Sequence, residues 1–100
     1  MKINFQSVNY TADAKLVEFA NKRMEKTAQF YDQIVAVFIY TKVENSSDKV
    51  NKFAELKIEI PGDDVIVKKT AKSFEEAINT AADSAERVLK KRKEKQRLLG

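Results

Sequence analysis

The sequence predicts an α+β fold of order β-α-β-β-β-α, in which a four-stranded sheet carries two helices packed on one face. Three observations predict it. Apolar residues recur at three- and four-residue steps in two stretches, about residues 14 to 29 and again after Ser73, as on the buried stripe of a helix. Around those stretches lie four runs of strand character, one of them alternating strictly between apolar and charged residues. No linker in the 100 residues is long enough to divide the chain, so the six elements form a single domain, 1–100.

Ile3 and Phe5 alternate with Lys2, Asn4 and Gln6, giving a short first strand. Leu16, Phe19, Ala20, Met24 and Thr27 follow at helical spacing, with Asp13 or Thr11 placed to cap the start. Ile34 to Val43 carries β-branched and aromatic residues on both faces, as a central strand does, and Glu44, Asn45, Ser46, Ser47 and Asp48 read as a loop. Ala54, Leu56, Ile58 and Ile60 alternate with Glu55, Lys57 and Glu59, which makes a strand with one buried face. Pro61 and Gly62 end it in a polar turn that includes Asp63 and Asp64, and Val65 to Lys69 returns as a short antiparallel strand.

Ser73 and Glu76 have the spacing of a capping box. Phe74, Ala77, Ile78, Ala81, Ala82, Ala85, Val88 and Leu89 then stripe a long second helix. A crossover between parallel strands is almost always right-handed, which sets the first helix on one face of the sheet and lets the second share it. The stripe fades after Leu89 while the helical pattern runs on to about Arg97, so the last turns are expected to project beyond the core.

Charge is concentrated in those turns. Arg87, Lys90, Lys91, Arg92, Lys93, Lys95 and Arg97 face one acid, Glu94, a local net of +6. With the whole chain at +4, the remaining residues carry 12 bases and 14 acids, a net of −2. Helical geometry aligns Arg87, Lys91 and Lys95 on one line and Lys90, Lys93 and Arg97 on the next, forming a ridge. A basic stripe on a small domain is the electrostatic footprint of phosphate binding. The first helix adds Lys15, Lys22 and Lys26 on one face with Arg23 beside it, although Glu18, four residues before Lys22, also permits an ordinary intrahelical pair.

Composition closes most chemistry. Without cysteine there is no disulfide or thiolate metal site, and without histidine the commonest general base and metal ligand is missing. Asp63 with Asp64 and Glu75 with Glu76 are adjacent and do not converge on one substrate; the second pair complements a helix N-terminus instead. The expectation is a protein that is not an enzyme, with no cofactor, metal or small-molecule substrate. No apolar run approaches the ~20 residues of a membrane span and no apolar signal segment opens the chain, so a cytoplasmic protein is expected. Tyr10, Tyr31 and Tyr40 read as core or rim, whereas Phe53 alternates away from Ala54 and Leu56 and is exposed if that sheet face is open.

Ser73, Phe74, Ala77, Ile78, Asn79, Asp83, Arg87, Leu89, Lys91 and Lys93 resemble the second helix of the ribosome hibernation promoting factor and ribosome-associated inhibitor family. Leu16, Phe19, Arg23, Lys26, Phe30, Tyr31, Asp32 and Ile34 resemble its first helix and exit, and Lys42, Val43 and Glu44 the end of its second strand. The resemblance implies binding to the small ribosomal subunit near the decoding centre, over the messenger path, so that translation is blocked under stress or in stationary phase. It implies ribosomal RNA contacts from Arg23, Lys26, Arg87, Lys91 and Lys93; geometry alone adds Lys22, Lys90 and Lys95. The chain looks like a short form, lacking the second domain with which long members pair ribosomes. It departs at Glu75, where an aromatic residue is frequent in the family, and at Ser84, where a basic one is.

Two other functions fit parts of the sequence. Lys68, Lys69, Thr70, Ala71 and Lys72, with Ala81 and Ala82 after them, loosely resemble the basic helix start of a double-stranded RNA binding module. A protein interaction module would use the same basic ridge on an acidic partner.

Overall fold

The computed structural model describes residues 1–45 and 48–99, with Leu98 and Leu99 as backbone only; Ser46 and Ser47 of the expected loop, and Gly100, lie outside the described residues. The elements are β1 (Lys2–Val8), α1 (Ala14–Phe30), β2 (Ala36–Val43), β3 (Lys52–Ile60), β4 (Asp63–Ala71) and α2 (Phe74–Leu99). The strands lie side by side in the order β1-β2-β3-β4. β1 runs parallel to β2, with Ile3 opposite Val37, and the other neighbours are antiparallel, with Val37 opposite Ile58 and Ile58 opposite Val65.

These registers stack the apolar side chains on one face. Val37, Ile39, Ala54, Leu56, Ile58 and Val65 form the sheet half of the core, Leu16, Ala20 and Met24 come from α1, and Ala77, Ile78, Ala81, Ala82, Ala85 and Leu89 come from α2. Both helices therefore cover the same face. The buried Thr41 hydroxyl donates to the Gln6 carbonyl at 2.8 Å and lies 2.6 Å from the Tyr10 hydroxyl. Tyr10 in turn stacks on Phe74, centroids 4.3 Å apart, and seals the N-terminal end of α2 against β2.

Local chemistry sets the boundaries. Asp13, not Thr11, caps α1, accepting the Leu16 N–H at 2.8 Å. Ser73 Oγ accepts the Glu76 N–H at 3.1 Å and starts α2, with Glu75 and Glu76 in its first turn. Pro61 and Gly62 form a two-residue turn with Gly62 at φ +83°, a conformation that favours glycine. The strand beyond it is longer than expected: Asp63 and Asp64 pair with Ile60 and Glu59 and belong to β4. β2 starts at Ala36, not Ile34. The Val35 N–H donates at 2.8 Å to Glu59, the residue opposite Ala36, so two residues face one across the ladder as in a bulge, and Val35 turns outward, 57% exposed.

The twenty-six residues of α2 measure about 39 Å at 1.5 Å per residue. That helix sets the long dimension of a molecule 49 × 24 × 19 Å. Its last fully buried residue is Leu89, so the final turns stand clear of the core as expected. Among the described residues no helix is long and apolar enough to cross a membrane.

Candidate nucleic-acid interface

The turns of α2 after Leu89 have no core beneath them, which leaves their charged side chains in water. Arg87, Lys90, Lys91, Lys93, Lys95 and Arg97 are all exposed. Among the described residues Lys90, Lys91 and Lys95 have no ion-pair partner, and Arg87 donates only to Ser84 Oγ, three residues back, at 3.0 Å. Ser84, Arg87, Val88, Lys90, Lys91 and Glu94 line an open hollow on this surface. Such an open row of cations has the form that suits a run of phosphates, and it does not enclose a small substrate.

Two contacts fix the ridge to the body of the protein. Arg92 turns back and donates to Asp63 at 2.6 Å, at the start of β4. That hydrogen bond, helped by the Asp64 backbone N–H, lowers the Asp63 pKa. On the other side Lys93 lies 5.8 Å from the centre of the Phe30 ring, a cation–π contact with the end of α1. Arg92 is thus a tether and Lys93 rests against α1, while Arg87, Lys90, Lys91, Lys95 and Arg97 stay exposed.

On α1 the expected bases separate into two kinds. Lys22 pairs with Glu18 at 2.9 Å, the intrahelical arrangement their spacing allows, and both side chains stay largely in water. Lys26 is exposed. Arg23 is differently disposed: its side chain is only 10% exposed and reaches across to α2. It lies 2.8 Å from Asp83, 2.8 Å from Glu86 and 3.0 Å from Asn79, with Thr27 at 3.2 Å. Burial acts to raise the Glu86 pKa, but hydrogen bonds from Arg23 and Thr27 and the Arg23 charge outweigh it and hold the carboxyl below its usual value.

Arg23 therefore joins the helices instead of facing solvent. Its partners Asn79, Asp83 and Glu86 form a row at four- and three-residue steps on one side of α2, a signal present in the sequence but readable only against a partner helix. Because Arg23 meets Asp83 and Glu86 while Phe30 meets Lys93, the helices run side by side in the same direction. Lys26, between Arg23 and Phe30, consequently lies beside the start of the ridge.

Apart from Phe30, which is beside Lys93, the aromatic residues singled out in the sequence lie elsewhere. Tyr31 is 4% exposed, a core residue. Tyr40 and Phe53 meet edge to face at 6.2 Å on the open face of the sheet, where Lys57 sits 5.5 Å from the Phe38 ring. That face is opposite the helices, so bases stacked there could not share a surface with phosphates on the ridge. Lys68 and Lys69 are strand residues of β4 and do not form a basic helix start.

Known proteins resemble this chain in sequence and in fold. Residues 3–97 match the family described as sigma 54 modulation protein / S30EA ribosomal protein. The chain is 29% identical over 99 residues to the ribosome hibernation promoting factor of Pseudomonas putida, covering 99% of this chain and 93% of that protein. It is 27% identical over 95 residues to the protein of the same name from Klebsiella oxytoca, covering 95% and 96%. In fold it is similar to a ribosomal subunit interface protein from Coxiella burnetii, with a TM-score of 0.82, 17% identity and 93% and 98% of the two chains covered. The N-terminal domain of Thermus thermophilus Protein Y gives a TM-score of 0.77 at 18% identity, covering 91% and 98%.

Proposed function

The chain belongs to the sigma 54 modulation protein / S30EA ribosomal protein family, and from that premise we propose that it is a ribosome hibernation factor that sets its basic ridge on the RNA of the small subunit near the decoding centre. Occupying the messenger path blocks translation under stress or in stationary phase. The observation that carries this reading is the projecting end of α2, with seven bases against one acid over residues 87–97. Its action is binding without chemistry.

In this reading Arg87, Lys90, Lys91, Lys93 and Lys95 neutralise phosphates along one line of RNA backbone, and Lys22 and Lys26 extend the contact onto α1. Arg23 serves as a positioning residue that holds α1 and α2 at the spacing the ridge requires. Each neutralised phosphate releases counterions and adds about 0.7 to 0.9 to the salt slope of binding, so some five to eight contacts make a strongly salt-dependent, reversible plug.

The test is co-sedimentation with purified small subunits at two salt concentrations, beside a variant carrying Arg87→Glu, Lys91→Glu and Lys93→Glu. Binding that is tight, salt-sensitive and lost in the variant supports the reading. An unmodified chain that stays in the supernatant at low salt would sink it. Equal binding to any long RNA duplex would favour a general double-stranded RNA reader instead.

A further inference from the structure

β4 is an edge strand, and its sequence is a charge palindrome: Asp63, Asp64, Val65, Ile66, Val67, Lys68, Lys69. The bond network tells which of its backbone groups are unpaired. Asn51 and Glu59 of the β3 segment accept hydrogen bonds from Glu44 and Val35, at 2.9 and 2.8 Å, on the side of β2. By the alternation of an antiparallel ladder, odd-numbered residues of β3 bond toward β2 and even-numbered ones toward β4. Their partners in β4 are Asp63, Val65, Val67, Lys69 and Ala71. Asp64, Ile66, Lys68 and Thr70 thus turn N–H and C=O outward, and the Asp64 N–H is taken at 2.7 Å by the Asp63 side chain rather than by β3. Ile66, in the middle, is 54% exposed.

A bare edge of this kind templates another strand, and lysines on an edge normally discourage it. Here their positions select one partner. When a second copy runs antiparallel with Ile66 opposite Ile66, Asp64 faces Lys68 of the second copy and Asp63 faces its Lys69, on both sides of the two-fold axis. The pairs at Ile66 and at Asp64 both fall at hydrogen-bonded positions of the ladder, the Asp64 N–H exchanging the Asp63 carboxylate for the new strand, so backbone and side-chain complementarity coincide in one register. A shift of two residues puts Ile66 against Lys68 or Asp64, and an in-register parallel strand puts like charges together. Asp64 lies 3.9 Å from Lys57 and Lys68 lies 4.0 Å from Glu55, at the outer limit of an ion pair and weak competitors, whereas Asp63 already holds Arg92 at 2.6 Å, so the Asp64–Lys68 pairs carry the selection.

We propose that β4 is a homotypic interface: a second copy of this chain adds antiparallel to β4 about Ile66, making one eight-stranded sheet with both helix layers on the same face. The association is isologous and closes at the dimer, because each protomer has a single β4 edge to offer.

The test uses the purified chain alone, so its outcome is independent of ribosome binding. Sedimentation equilibrium is expected to give a reversible monomer–dimer equilibrium. Lys68→Glu raises the dissociation constant about tenfold by opposing like charges across the axis, and the double variant Asp64→Lys with Lys68→Glu restores it. Thermal melting confirms that each variant is folded. The chain has no cysteine, so Ile66→Cys gives a register probe: hydrogen-bonded cross-strand residues are about 5.5 Å apart at Cα, within disulfide reach. Mild oxidant should cross-link Ile66→Cys dimers and leave Thr70→Cys monomeric. A chain still monomeric near 1 mM, the weak end of specific association, overturns the proposal. So does a dimer indifferent to Lys68→Glu, a double variant as weak as the single one, or cross-linking through Thr70→Cys.

Discussion

The guanidinium of Arg23 and the carboxylate of Glu86 lie 2.8 Å apart across the interface of the two helices, with the Thr27 hydroxyl donating to the same carboxylate oxygen at 2.8 Å. Arg23 is 10% exposed and Glu86 25%, so this pair is shielded from water in a way the Lys22–Glu18 pair is not. The sheet fixes the depth of each helix, while this clasp fixes their spacing, and with it the distance from Lys26 to the ridge.

Removing one side of the clasp should therefore cost stability. Arg23→Ala leaves Glu86 partly buried with Thr27 as its remaining partner, a loss of about 1–3 kcal/mol. For a chain of this size that lowers the melting midpoint by roughly 4–8 °C per kcal/mol. Calorimetry of the variant checks it, and a midpoint within a degree of the parent would show that the clasp contributes nothing.

The same pair makes stability depend on acid. Folding lowers the Glu86 pKa, so the unfolded chain holds the proton more tightly. The stabilisation is complete above the usual glutamate value of 4.5 and is lost as the pH falls through the lower folded value. No histidine is present to add a step between pH 5 and 8. Melting midpoints measured from about pH 6 down to 3 should fall less steeply in Glu86→Gln than in the parent; identical slopes would remove Glu86 from the account.

How much of this was legible in the sequence follows from the reach of each interaction. Element order, the single buried face of β3 and the ridge on α2 rest on neighbours within a few residues, so period alone reveals them. The clasp does not, because Arg23 meets Asn79, Asp83 and Glu86 across 56, 60 and 63 residues and looks in isolation like another surface base. Arg92 is similar, counted with the ridge until Asp63, 29 residues earlier, comes beside it. Asp63 and Asp64 looked like turn residues because polar side chains at the start of an edge strand have the composition of a turn.

Binding to the ribosome should separate residues that touch phosphate from those that position. Lys91→Ala is expected to reduce the steepness of log affinity against log salt by about 0.7 to 0.9 with the melting midpoint unchanged. Arg23→Ala should lower the midpoint and leave that slope alone. If Arg23→Ala instead flattens the slope in a chain that is fully folded at the assay temperature, its guanidinium meets RNA directly.

Whether the ridge is rigid before it meets a partner depends on Leu89 and Arg92. Leu89 is fully buried and closes the core, so Leu89→Ala should cost about 2–5 kcal/mol. Val88, 38% exposed at the preceding position, should cost within about 0.5 kcal/mol as Val88→Ala. Beyond Leu89 the contacts among the described residues include the Arg92–Asp63 bond and the Lys93–Phe30 cation–π contact, both at the surface. Asp63→Asn weakens the first without touching the core, so global stability should hold while amide hydrogen exchange rises in residues 93–97 and stays constant in residues 77–85. Exchange that rises equally along the whole of α2 would mean that the helix melts as one unit and that Arg92 does not hold its end.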